Sequence, residues 1–193
     1  MRNIKFEPES SALLIIDMQR YFLEKNSHAF LSDGVKIIKG IKRLQGIFLE
    51  RNLPVIFTRH INNEENVGMM MKWWGEIIKE EDPLSEISGE FDLNGSIVLK
   101  KSQYDAFYNT ELEKILKERR IRQVVITGVM TNLCCETTAR SAFVRGFEVF
   151  FTIDGTATDY KRYHKYTIEN LSRGFAVIIT LNDIISMMNY EKR

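Results

Sequence analysis

The run Ser11-Ala12-Leu13-Leu14-Ile15-Ile16-Asp17 constrains the fold more than any other stretch of this chain. It is apolar at consecutive rather than alternate positions, so a strand built from it must be buried on both faces. A central strand of a parallel sheet, with helices on either side, meets that condition. Residues 54–58 (PVIFT), 96–100 (SIVLK), 123–127, 147–152 (FEVFFT) and 175–179 read as five further strands. Between the first two, residues 33–50 carry Val35, Ile38, Ile41, Leu44, Ile47 and Phe48 on one helical stripe. More helices are expected over 110–119, from about 132 to 145 with a stop at Gly146, and over 159–173 before Gly174. The segment Thr180-Leu181-Asn182-Asp183 has the form of a capped start for a last helix, to about Asn189. Six strands separated by helices predict right-handed crossovers and a three-layer α/β/α sandwich on a six-stranded parallel sheet of order 3-2-1-4-5-6.

Composition narrows the class of protein. A length of 193 residues suits one domain, and 44% hydrophobic with 27% charged residues is ordinary for a globular chain. A net charge of +1 gives no reason to expect nucleic acid or an anionic membrane as a partner. No apolar run approaches the ~20 residues of a membrane span. The two cysteines, Cys134 and Cys135, are adjacent and cannot bridge distant segments. With no signal-like start, the expected setting is reduced and cytoplasmic. A single domain over 1–193 is expected.

In a sheet of this order, ligands bind beyond the carboxyl ends of the strands, where the order reverses between strands one and four. Asp17 ends the first strand. After the fourth, Thr127-Gly128-Val129-Met130-Thr131-Asn132-Leu133 leads to Cys134 at the opening of a helix. A thiol there sits among unpaired N–H groups at the positive end of the dipole, which favours the nucleophilic thiolate. A carboxylate across the crevice could take and return its proton. Free cysteine is also among the most buried residue types, and an acid at a strand end is often a loop group, so position alone leaves both roles open. Lys100 and Lys101 follow strand three and could supply a cation. That strand lies roughly 10 Å from strand one, so the chain would have to turn back for either to reach.

These residues resemble the isochorismatase-like cysteine hydrolases. The resemblance rests on Leu14-Ile15-Ile16-Asp17-Met18-Gln19 with Phe22, on Lys101-Ser102-Gln103-Tyr104-Asp105-Ala106-Phe107, and on Thr127 through Cys134 continuing to Glu136, Thr138 and Ala139. A weaker match runs through Asp154-Gly155-Thr156-Ala157-Thr158 and His164. It implies an isochorismatase-like, Rossmann-like fold, a triad of Asp17, Lys101 and Cys134, a cis peptide at Val129–Met130, and an oxyanion hole from the backbone N–H groups of Met130 and Cys134. Lys101 is implied to hold Asp17 ionised and lower the thiol pKa. A homodimer or homotetramer acting on a small molecule is the family expectation.

Nicotinamidases of that superfamily carry an Asp-x-His-x-x-His metal motif after the second strand. Here the segment reads Thr58-Arg59-His60-Ile61-Asn62-Asn63. With only His28, His60 and His164 in the chain, no metal and no cofactor are expected, and a nicotinamidase assignment falls with the motif. Residues 59–95 are the expected lid and specificity element. Gln19, Phe22, Arg59, Trp73 and Trp74 are candidate substrate contacts, and His164 a capping or packing group. The leading expectation is hydrolysis of a small amide, carbamoyl or ureido C–N bond through a thioester. The alternatives are a vinyl ether hydrolase of the isochorismatase type and a non-catalytic or redox module. No G-x-G-x-x-G turn follows strand one, which argues against a dinucleotide site.

Overall fold

In the computed structural model, residues 4–190 are described, so the ends of the expected domain, 1–3 and 191–193, lie outside the described residues. Strand β1 spans Ser11–Ile16, β2 Val55–His60, β3 Ile97–Lys101, β4 Gln123–Val129, β5 Glu148–Ala157 and β6 Val177–Ile179. They form one sheet in the order β3-β2-β1-β4-β5-β6, every neighbouring pair parallel. All six residues of β1 are buried. Leu13 and Ile15 join one apolar cluster and Ala12, Leu14 and Ile16 the other, which is why the run shows no alternation.

The first cluster packs under helix α2 (Ser32–Glu50) through Ile38, Ile41, Leu44 and Phe48, and under α7 (Leu181–Tyr190) through Ile184 and Met188. The second packs under α4 (Leu112–Glu118), α5 (Glu136–Val144) and α6 (Lys161–Gly174). Two short helices, α1 (Arg20–Leu23) and α3 (Met70–Trp74), lie outside these layers in the connections after β1 and β2.

Several boundaries differ from the sequence expectation, and the differences fall where the site is built. β2 runs on to His60, so Arg59 and His60 belong to the sheet and the long connection begins at Ile61. β3 is displaced by one residue and ends on Lys101. β4 continues through Val129, and β5 through Ala157 after a register shift opposite Ile126 and Gly128. Helix α5 starts at Glu136 rather than near Asn132, because Thr131–Cys135 form a π-helical turn first. The long connection is tied down by an antiparallel bridge between Gln19 and Ile87. Among the described residues no helix is long and apolar enough to cross a membrane.

Candidate active site

Asp17 follows β1 at the carboxyl end of the sheet, fully buried and with φ of 48°. The Thr58 hydroxyl fixes it from the neighbouring strand, accepting the Asp17 N–H at 3.0 Å and donating to Asp17 Oδ1 at 2.6 Å. Oδ1 is therefore occupied. Oδ2 faces the Lys101 ammonium at 2.8 Å and is otherwise without a partner among the described residues.

Lys101 reaches Asp17 without the chain turning back, which corrects the sequence-based expectation. It pairs in register with His60 of β2. Its side chain crosses the end of that strand, and the reach of an extended lysine replaces a bend in the backbone. Strand alternation sends Lys100 the other way, to Glu80 on the exposed face. The Lys101 Nζ meets Asp17 Oδ2, the Gln103 carbonyl at 2.9 Å, His60 Nδ1 at 3.2 Å and Cys134 Sγ at 3.4 Å. Burial alone would lower this ammonium, but Asp17 and Cys134 beside it outweigh burial and raise it, so it stays charged.

Cys134 lies in the π-helical turn after β4, where the N–H groups of Leu133 and Cys135 both donate to the Met130 carbonyl. The Val129–Met130 peptide is cis. Burial pushes the Cys134 thiol up, against the downward pull of Lys101, and Asp17 adds to the rise. The expectation of a net depressed thiol is corrected on this point. One cation faces a carboxylate and a thiol, and burial favours the neutral form of the thiol. Cys135 is wholly buried with its sulfur 4.0 Å from the Thr127 carbonyl, and burial raises its thiol too.

Cys134, Asp17 and His60 open onto a cavity of about 390 Å³, within the range of small-molecule sites. Phe22, Leu31, Met70, Trp74, Tyr104 and Met130 give it apolar walls. The Trp74 indole N–H donates to the Tyr104 hydroxyl at 2.8 Å, which ties the long connection to the segment after β3. Tyr21, His28 and Glu76 meet at the cavity wall, with His28 Nε2 at 3.0 Å from the Tyr21 hydroxyl and 2.5 Å from Glu76.

Of the candidate substrate contacts, Phe22 and Trp74 line this cavity and Gln19, Arg59 and Trp73 do not. Gln19 is a buried brace that donates to the carbonyls of His60 and Ser85 and accepts the His60 N–H. Arg59 donates to the carbonyls of Ser85 and Glu80 and pairs with Glu86. Both satisfy backbone groups of the long connection, which would otherwise be buried without partners. Trp73 projects outward with 74% of its surface exposed. His164 touches the turn that carries Cys134, its Nδ1 3.0 Å from the Thr131 hydroxyl.

The residues that sequence reasoning missed lie on and just beyond one strand edge. Thr58, His60 and Asn62, at alternate positions, all face the site. His60 Nε2 lies 2.9 Å from Asn62 Oδ1, and the Asn62 amide donates to the Ser102 carbonyl at 2.8 Å. Alternating polar residues at the end of an apolar strand were the available signal. Burial, reinforced by Lys101, lowers the His60 imidazole from 6.5 to about 4. The unfolded chain then binds the extra proton between those values, so stability falls as pH drops through that window, by roughly 3–4 kcal/mol in full. His60→Asn is expected to shed that part of the acid sensitivity, read from denaturant midpoints at about pH 7 and pH 4.5. An unchanged pH difference would mean that the ring titrates alike in both states.

Ligand atoms of Asp17, His60 and Cys134 lie within 4.8 Å of one another, a spacing that could suit a metal ion. The set does not fit one, because the Lys101 ammonium already faces all three and holds a fixed positive charge among them. Asn63, at the last position of the absent metal motif, bonds its own loop at Glu65 and Asn66.

The isochorismatase domain model matches residues 11–183. Nicotinamidase 3 of Arabidopsis thaliana is 38% identical over 184 residues, covering 91% of this chain and 88% of that protein. Enterobactin synthase component B of Escherichia coli is 29% identical, covering 91% of this chain but only 62% of the relative. Among solved structures, a cysteine hydrolase from Pseudomonas syringae superposes with a TM-score of 0.91 at 23% identity, covering 96% of this chain and 95% of that one. With the family model spanning the sheet and every residue of the buried cluster, the chain belongs to the isochorismatase family of hydrolases.

Proposed function

We propose that this protein hydrolyses a small amide, carbamoyl or ureido C–N bond, with Cys134 as nucleophile, Asp17 as general base and acid, and Lys101 as the shared cation. The observation that carries this reading is the single buried ammonium within 2.8 Å of a carboxylate oxygen and 3.4 Å of a thiol. As Sγ attacks the carbonyl carbon, its proton passes to Asp17 Oδ2, the oxygen that Thr58 leaves free. The negative charge moves from one side of Lys101 to the other, so the site keeps its net charge through the step. The N–H groups of Met130 and Cys134 take the developing oxyanion. Collapse breaks the C–N bond, and Asp17 returns the proton to the departing amine. Water then attacks the thioester, Asp17 again takes the proton, and the acid leaves as the thiol re-forms.

A relative's name supports a nicotinamide-type substrate, which the sequence expectation set aside with the metal motif. The relative at 38% identity carries the name nicotinamidase, and here a lysine-centred site occupies the space among the candidate ligands. A flat ring bearing a carboxamide suits walls made of Phe22, Trp74 and Tyr104.

The test is ammonia release from a panel of small carboxamides and ureides, nicotinamide included. Turnover of at least one is expected, falling at least about a thousandfold in Cys134→Ala while Cys135→Ala keeps most of it. Pyruvate release from isochorismate that survives Cys134→Ala would replace this reading with the ether-hydrolase one. No turnover, with both thiols equally reactive, would leave a binding or redox module.

A further inference from the structure

Lys101 has more acceptors than protons. An ammonium donates three hydrogen bonds, yet four acceptors surround Nζ: Asp17 Oδ2, the Gln103 carbonyl, His60 Nδ1 and Cys134 Sγ. An ammonium cannot accept, so His60 Nδ1 must carry a lone pair wherever this contact exists. The other ring nitrogen faces Asn62 Oδ1. Asn62 cannot turn its amide round, because its N–H group is spent on the Ser102 carbonyl. The Nε2–H tautomer is therefore imposed from both sides.

We propose that His60 is a positioning residue for the proposed reaction: a neutral, tautomer-locked acceptor that holds the Lys101 ammonium between Asp17 and Cys134. The proposal rests on the cysteine hydrolase reading and adds a component to it. A neutral acceptor suits this place for an electrostatic reason. It orients the cation without competing for its charge, so the charge remains available to whichever of Asp17 and Cys134 is anionic. A carboxylate there would pin the ammonium permanently, and an apolar side chain would leave it free to settle toward Asp17 Oδ2 and the Gln103 carbonyl, away from Cys134. The groups around the ring agree with a neutral state. Lys101 of β3 opposes a second positive charge, while Asp17 after β1, the Gln103 carbonyl and the Asn62 amide oxygen favour one, and burial settles the balance. The weakest-held of the four acceptors, Cys134 at 3.4 Å, gains its N–H when it becomes thiolate. With His60 holding the ammonium in place, that N–H meets the thiolate with no movement of Nζ.

Two variants separate the acceptor from the bulk of the ring. In asparagine the amide oxygen is bonded to Cγ, as Nδ1 is in histidine, so His60→Asn keeps an acceptor near the Nδ1 position. In glutamine the oxygen lies one atom further out, near Nε2, and His60→Gln loses the acceptor while remaining polar. The readout is alkylation of Cys134 by iodoacetamide across pH 6 to 9, resolved from Cys135 by mass spectrometry. The expected result is that His60→Gln slows Cys134 alkylation about tenfold at pH 7, equivalent to a rise of about one pH unit in its profile. His60→Asn recovers the rate to within about threefold of wild type. A glutamine variant equal to wild type, or an asparagine variant no better than glutamine, overturns the proposal.

Asp17→Asn keeps this outcome distinct from failure of the triad itself. With its carboxylate gone, Lys101 faces the thiol alone, and alkylation is expected to rise about tenfold while turnover falls. If Asp17→Asn responds and the His60 variants do not, only the role of His60 is wrong. If none responds, the charge-sharing reading fails with it. Long-range 1H–15N spectra of the unaltered protein give a check that needs no variant. They should show His60 protonated at Nε2 and bare at Nδ1 from pH 5 to 8. An Nδ1–H tautomer in that range overturns the proposal whatever the variants do.

Discussion

Lys101→Met is expected to destabilise the protein by about 3–5 kcal/mol, the cost of stranding one member of a buried ion pair. The Lys101 and Asp17 side chains are both inaccessible to solvent. Asp17 Oδ1 keeps its bond from Thr58, but Oδ2 loses the cation it faces at 2.8 Å. Methionine matches the lysine stem in length and fills the space, so the loss measures charge rather than a cavity. The diagnostic result is the double variant. Adding Asp17→Asn to Lys101→Met should restore most of the lost stability, because removing both members of a buried pair is often nearly neutral. Asparagine tolerates the left-handed conformation that Asp17 adopts, with φ of 48°, and can still accept from Thr58. Urea midpoints of the four proteins close the cycle, with a coupling of about 2 kcal/mol or more expected. Strictly additive losses would mean that the two charges do not depend on each other, and the proposed charge transfer between Asp17 and Cys134 would lose its basis.

How much of this could be read beforehand depended on the range of the interaction. Residues 11–16 announce a doubly buried strand because burial on two faces is a local property of the side chains; the observed order is the doubly wound one expected, which strand count and handedness allow without dictating. The site was legible where a residue's position along a strand decides its direction, as for Asp17 and Cys134 at the ends of β1 and β4. It failed where direction depends on a partner strand. Lys101 looked too distant because backbone spacing was counted and side-chain reach was not. Gln19 and Arg59 looked like substrate contacts because polar residues near a crevice usually are. They hold instead the carbonyls of His60, Glu80 and Ser85, which come within reach only once the long connection folds over the sheet. The Cys134 thiol looked depressed because a helix start was assumed. The turn that carries it is π-helical and buried, and desolvation outweighs the pull of Lys101 there. For His60 and Asn62 the alternation with Thr58 was the available signal, and what they do is defined only by Lys101 opposite the ring.

Gly128→Ala is the second large effect, expected to cost about 4 kcal/mol or more, a large fraction of the stability of a typical domain. Gly128 pairs with Ile16 across the β1–β4 ladder, at the strand pair that carries Asp17 on one side and the Cys134 turn on the other. A β-carbon there would lie 2.1 Å from the Ile16 carbonyl oxygen and 2.6 Å from its nitrogen. Both are backbone atoms of a central strand and cannot rotate away. The backbone itself, at φ of +110°, lies where an L side chain is strained before any contact is counted. The same substitution elsewhere should have the opposite sign. Gly46 lies within α2 with no heavy atom within 4 Å of a built β-carbon. Gly46→Ala should therefore stabilise by roughly 0.5–1 kcal/mol through helix propensity. Denaturant midpoints of the two variants decide the matter. If Gly128→Ala unfolds with the wild-type midpoint, the close approach of β1 and β4 is wrong, and with it the placement of Asp17 opposite Cys134. If it is crippled while Gly46→Ala gains, the glycine is required by the spacing that brings the two together. Gly128 then belongs to the architecture of the site although it has no side chain to offer.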